Sequence, residues 1–175
     1  KVDTREDNDI IGFVFGYKSP DDTTSNDDYD FILFDWKQST QTIGSNPPAT
    51  AYEGFSVVKV DGTITNTEIV DYFWSHKNDP RFEILDTLFG QGYGWNNYQN
   101  YNFDLIYTSS NLIVIIDGDT VFDIKGCFKP GKFGLYNYSQ ANTVYSDFSY
   151  QLKADFDFTE VCSDEDNTFT SFDTA

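Results

Sequence analysis

Short runs rich in Phe, Tyr, Val and Ile recur along the chain, separated by clusters of Gly, Pro, Asn, Asp, Ser and Thr. That punctuation predicts β-strands joined by polar turns. The first run, "IIGFVFGYKS", follows directly on an acidic stretch, "DTREDND". After the polar loop "SPDDTTSNDDYD" comes "FILFDWKQST". There Ile32, Phe34 and Trp36 fall on one face and Phe31, Leu33, Asp35 and Lys37 on the other. The first face is expected in a core, with Trp36 buried. The second is expected to meet a partner or to be covered by another element.

"SNPPAT" cannot be a central strand, and "GFSVVKVDG" reads as a strand running into a turn. The stretch "EIVDYFWSHKNDPRFEILDTLF" is less regular and fits either one short helix or a strand plus a long excursion. "GQGYGWNNYQ" is expected as a loop that displays its aromatic residues. "YNFDLIYTSSNLIVIIDGDTVFDI" implies three strands, the last two joined by Asp117-Gly118, a favoured hairpin turn. "GKFGLYNYSQANTVYSDFSYQLKADF" predicts two more. No repeat or heptad pattern interrupts the series. The expectation is an all-β, antiparallel sandwich over residues 1–158 and an acidic tail or linker over 159–175.

Composition narrows the function. At 175 residues the chain is one domain's worth. Its formal charge is −18, with Lys and Arg totalling 11 and scattered, which excludes nucleic acid as a default partner. The same charge disfavours anionic membrane surfaces, and no run reaches the roughly 20 apolar residues of a membrane helix. Bound calcium or a salty extracellular medium would offset the self-repulsion; a merely soluble acidic surface is the plainer account. A lysine as first residue points to a fragment or a processed product. Cys127 and Cys162 do not have metal-ligand spacing. They are either a disulfide closing a loop of about 36 residues, adding about 4 kcal/mol, or two free thiols.

Catalytic motifs are mostly absent. The single histidine, His76, has Ser75 beside it, but adjacent residues rarely meet in triad geometry. No phosphate-binding loop, dinucleotide fingerprint or H-E-x-x-H appears. The six glutamates do not alternate along a strand as a sandwich glycosidase would require. Oxygen ligands are better supplied: Asp7, Asn8 and Asp9 crowd one loop and could serve calcium. Tyr93, Trp95, Asn96, Asn97 and Tyr98 cluster in one loop and could form a sugar platform. Asn137 in "NYS" meets the N-glycosylation rule, though it falls inside an apparent strand.

Taken together, "DNDIIGFVFGYKS", "DFILFDWKQSTQT", "FWSH" with "GYGW" downstream, and "GKFGLYNYSQANTVYSDF" resemble the C-terminal domain of thrombospondins. They are nearer still to its secreted bacterial and protist relatives. The similarity runs in order from about Asp3 to Leu152. It implies a concanavalin-like (L-type lectin) sandwich, extracellular or at the cell surface, with calcium as cofactor at Asp7 and Asp9. It implies a non-catalytic adhesion or structural module that binds other extracellular proteins or subunits of its own assembly. The alternative is a carbohydrate-binding lectin using Tyr93, Trp95 and Asn97, and a glycoside hydrolase comes third. The chain departs from the pattern in two ways. Only ten residues stand where the family has several strands before "GFVFGY", so strand complementation by another polypeptide is expected. The wider fold's legume lectins carry a Glu and an Asp as metal ligands where this chain has Leu33 and Asp35, which argues against that paired metal site.

Overall fold

The computed structural model describes residues 1–19, 28–44, 47–151 and 170–171. Strands dominate it: β1 (Ile10–Ser19), β2 (Asp28–Lys37), β3 (Gln41–Ile43), β4 (Ala49–Ala51), β5 (Gly54–Thr63), β6 (Phe82–Phe89), β7 (Phe103–Tyr107), β8 (Asn111–Ile116), β9 (Asp119–Lys125), β10 (Lys132–Tyr138) and β11 (Thr170–Ser171). Among the described residues they form a five-stranded sheet in the order β10-β1-β2-β5-β6 and a four-stranded sheet in the order β11-β9-β8-β7, with β3 and β4 as a small pair. Every ladder is antiparallel. The all-β sandwich expected from the alternation is the observed fold. The expected boundary at residue 158 lies outside the described residues.

The inward face of the large sheet carries Ile11, Phe13, Phe15, Ile32, Phe34, Trp36, Phe55 and Val57, packed against Leu112, Val114, Ile116, Phe122 and Ile124 of the facing sheet. Aromatic edges lock the two layers together. Phe103 meets Phe13 edge-on at 5.0 Å, and Phe122 meets Phe34 at 6.3 Å. Trp36 stacks on Phe55 at 4.7 Å and donates its indole N–H to the Tyr93 carbonyl at 2.6 Å. The hairpin at Asp117-Gly118 forms as expected, both residues having positive φ (52° and 93°), which a two-residue turn of this hand requires.

The large sheet is buried on its outward face as well. Phe31, Leu33, Val58 and Val60 lie beneath Ile64, Tyr72 and Phe73. The ambiguous stretch thus resolves as an excursion from the end of β5, wound into a single π-helical turn at Val70–Trp74, before the chain returns as β6. Burial on both faces explains why β2 reads as a nearly unbroken apolar run. An ion-pair cluster closes the far end of the excursion. Arg81 Nη2 lies 3.2 Å from Glu68 Oε1 and 3.1 Å from Asp79 Oδ2, and the Tyr72 hydroxyl donates to Asp79.

The second strand expected after β10 is not formed among the described residues. Ser139 and Asn142 take positive φ (63° and 54°), turning the chain, and Tyr145 then packs edge-on against Phe13 at 5.7 Å. Its hydroxyl donates to the Tyr136 carbonyl at 2.8 Å, so the segment crosses the sheet instead of extending it. The aromatic loop also departs from expectation. Gly94 lies so close to the Gln38 backbone that an added Cβ would sit 1.8 Å from its carbonyl oxygen. That approach drives Trp95 inward to 1% exposure.

Two outcomes test this packing. Trp36→Ala should cost about 3–5 kcal/mol in chemical denaturation, and a wild-type transition would refute its place in the core. Hydrogen bonds from Thr65 hold the Glu68 carboxyl down at about 2, and the Tyr72 hydroxyl does the same for Asp79. Both depressed values add stability that is fully present above the unfolded values of 4.5 and 3.8 and is lost as pH falls toward about 2. Protection factors of the residue 70–76 amides, each rate referred to the intrinsic rate at that pH, should therefore fall across that acid window. In Glu68→Gln the fall should be smaller, starting from weaker protection at neutral pH.

Candidate functional site

The covered face of β2 alternates, so Asp35 and Lys37 point to the same side as Phe31 and Leu33 and lie beneath the cover. Neither can remain there without partners. Asp35 accepts the Ser56 hydroxyl at Oδ1 (2.7 Å), and His76 Nε2 lies 2.7 Å from Oδ2. His76 reaches it from the end of the π-helical turn through a left-handed backbone (φ 51°), its ring packed between Phe82 and Phe89. Ser75, its neighbour in sequence, instead donates to the Asp71 carbonyl at 2.9 Å. The buried order is Ser56–Asp35–His76, with the carboxylate in the middle. A nucleophilic triad needs the imidazole between hydroxyl and carboxylate.

Lys37 is 1% exposed, and its ammonium sits in an oxygen cage. It donates to the Asn8 carbonyl, to Asn8 Oδ1 at 3.1 Å and to Gln41 Oε1 at 3.0 Å, and pairs with Asp9 Oδ1 at 3.4 Å. The Trp74 ring closes the remaining side at 4.7 Å. Burial lowers the Lys37 pKa while Asp9 pulls it back up. Burial likewise raises the Asp9 pKa, against the opposing pull of Lys37. The Asp9 amide donates to Gln140 Oε1 at 2.6 Å, which ties the start of β1 to the turn after β10. Asp7 is also engaged, accepting the Asn8 amide at Oδ1 (3.1 Å) and the Ala141 amide at Oδ2 (2.9 Å).

The two carboxylates expected to hold calcium are therefore brought to one entrance, with Lys37 as the cation between the strands. Among the described residues no group of three or more His, Cys, Asp or Glu side chains is arranged to hold a metal. The pair would supply part of a calcium shell, which takes six to eight oxygens in all. Of the expected sugar-platform residues, Tyr93 is exposed, Trp95 is a core residue with no open face, and Asn97 is partly buried. Asn137 is exposed on β10, with its amide donating to the Gln140 carbonyl (2.8 Å) and Thr143 Oγ1 (3.0 Å). Cys162, the expected partner of Cys127, lies outside the described residues.

A family model described as the thrombospondin C-terminal region matches residues 1–154. The chain belongs to that family. It is 30% identical to thrombospondin-2 of Gallus gallus over 167 residues and 29% identical to thrombospondin-2 of Homo sapiens over 165 residues, each alignment covering 87% of this chain. Thrombospondin-4 of Mus musculus is 25% identical over 86% of it. The chain spans 13% to 16% of the length of these relatives. With the thrombospondin C-terminal family comes the extracellular setting expected from the sequence.

Within this thrombospondin C-terminal domain the Lys37–Asp9 contact is the part sequence reading missed. The signal was present: a lysine in phase with Phe31 and Leu33 on an apolar strand face needs a buried counter-charge. Lys37→Met should destabilise by about 3–5 kcal/mol by stranding Asp9, and adding Asp9→Asn should recover a large part of the loss. Urea denaturation of the two variants and wild type measures both quantities. A near-neutral Lys37→Met would refute the pairing.

Proposed function

We propose that the chain is a non-catalytic extracellular interaction module, adhesive or structural, acting on other extracellular proteins or on subunits of its own assembly. The family match across residues 1–154 carries this reading. The site supports it: the only histidine is committed to Asp35 beneath a hydrophobic cover, in an order that does not relay a proton to Ser56. The lectin alternative loses its main support with Trp95 in the core.

Calcium is the proposed ligand of the module, with Asp7 and Asp9 as its carboxylates at the entrance to β1. In the described arrangement the place beside Asp9 Oδ1 is held by the Lys37 ammonium, so calcium bound there requires that ammonium to move aside. Calorimetric titration of calcium into wild type and Asp9→Ala tests the assignment. Binding lost or weakened in the variant supports it, and equal binding by both removes these residues from any calcium site. The wider reading is tested by immobilising the chain against a panel of extracellular proteins and a glycan array, with and without calcium. Protein capture is expected, and selective glycan capture alone would overturn it.

A further inference from the structure

The cage around Lys37 brings together an amine, a carboxamide and a carboxyl group, largely out of contact with solvent. The lysine is 1% exposed, and the Trp74 ring lies 4.7 Å from its Nζ. Removal from water beside apolar surface is one of the ways a lysine amine becomes a nucleophile. Among the described residues four oxygens surround this nitrogen: the Asn8 carbonyl, Asn8 Oδ1 (3.1 Å), Gln41 Oε1 (3.0 Å) and Asp9 Oδ1 (3.4 Å). An ammonium has three protons to give, so one acceptor goes short.

The Asn8 carboxamide is held facing the amine. Its Nδ2 donates to Ser39 Oγ at 2.9 Å, which turns Oδ1 toward Lys37. Cγ, the carbon an amine attacks, is one bond from the oxygen that Nζ already contacts. A turn of the carboxamide about its Cβ–Cγ bond presents that carbon to the nitrogen. The backbone holds both partners in register: Lys37 stands opposite Ile10 in the β1–β2 ladder, and the Asn8 amide donates to Asp7 Oδ1 at 3.1 Å. Asn8 itself is only half-buried, so a small leaving group has a way out.

We propose that Lys37 and Asn8 are the partners of an intramolecular amide cross-link, with Asp9 carrying the proton between them. Asp9 Oδ1 takes a proton from the Lys37 ammonium and leaves an amine with a free electron pair. That pair attacks Asn8 Cγ, and the new Nζ–Cγ bond forms. Asp9 then gives its proton to Nδ2, the Cγ–Nδ2 bond breaks, and ammonia departs. The proton that Nζ sheds on becoming an amide returns to Asp9. Nothing is oxidised or reduced: an ammonium, a carboxylate and a primary amide become a secondary amide, a carboxylic acid and ammonia. The buried ion pair disappears, and with it the cost of holding two charges beneath the cover. The bond ties the segment before β1 to the end of β2, 29 residues along the chain. The inference goes beyond the interaction-module reading and does not depend on it.

Intact-mass spectrometry of the full chain, purified, reduced and denatured, reads the bond directly. The chain should be lighter than its sequence by about 17 Da, the mass of one ammonia. Proteolysis should release a branched peptide joining the residues around Asn8 to those around Lys37, with no tryptic cleavage after Lys37. Asn8→Ala and the charge-conserving Lys37→Arg should each restore the full sequence mass. Asn8 is half-buried, so its variant should keep the wild-type circular dichroism and separate loss of the bond from loss of the fold. In Asp9→Ala the cross-linked fraction should fall at least about tenfold. A full sequence mass in the folded wild-type chain would overturn the proposal. So would the same mass loss persisting in Lys37→Arg, which marks a succinimide, or a branch found at Asp9 with loss of water, which makes Asp9 the acyl partner.

Discussion

The structure depends on one constraint: β2 runs through the middle of the large sheet with both faces buried, and its covered face carries two charges. Asp35 and Lys37 cannot be left unpaired in that environment without a cost of several kcal/mol. Their partners come from distant parts of the chain. His76 descends from the excursion after β5, while Asp9 and Asn8 arrive from the segment leading into β1. Each charge therefore fixes the position of a cover piece that apolar contact alone would leave free to slide. The acidic run before "IIGFVFGYKS" has its physical reason here: its last member is the counter-charge of a buried lysine.

The inward side follows a different rule. It is almost purely apolar and aromatic, and its packing ends where the facing sheet ends, one strand short of β10. The outward cover continues past that point through Tyr136 and Tyr138, which pack into the outer clusters. Among the described residues β10 is thus covered on its outer face, while Phe133 and Leu135 on its inner face are about half exposed.

Much of this was legible in the chain. Strict alternation in "FILFDWKQ" separated the two faces of β2 correctly, and Asp117-Gly118 marked the β8–β9 hairpin. The excursion at residues 64–80 was ambiguous because its apolar residues fill a cover instead of a periodic face. Tyr72, Phe73 and Trp74 point into the sheet from a single π-helical turn, a geometry neither a 2- nor a 3.6-residue period describes. Trp95 misled for a related reason. The Gly- and Asn-rich letters around it signal a surface loop, while the close approach of Gly94 to Gln38 that buries it is a tertiary contact. Asp7 and Asp9 were singled out as carboxylates in one place, but the cation that pairs with Asp9 is supplied by β2, 28 residues along the chain and invisible to local spacing.

The central claim is that charges on the covered face bind sheet and cover into one cooperative unit. Native-state hydrogen exchange at increasing, sub-denaturing urea measures this directly, by comparing amides of β2 with those of residues 72–77. If the claim holds, the two sets merge into a single opening reaction, with the same free energy and the same urea dependence. If the residues 72–77 amides open at far lower free energy while β2 stays protected, the cover is only laid on the sheet, and the account is contradicted.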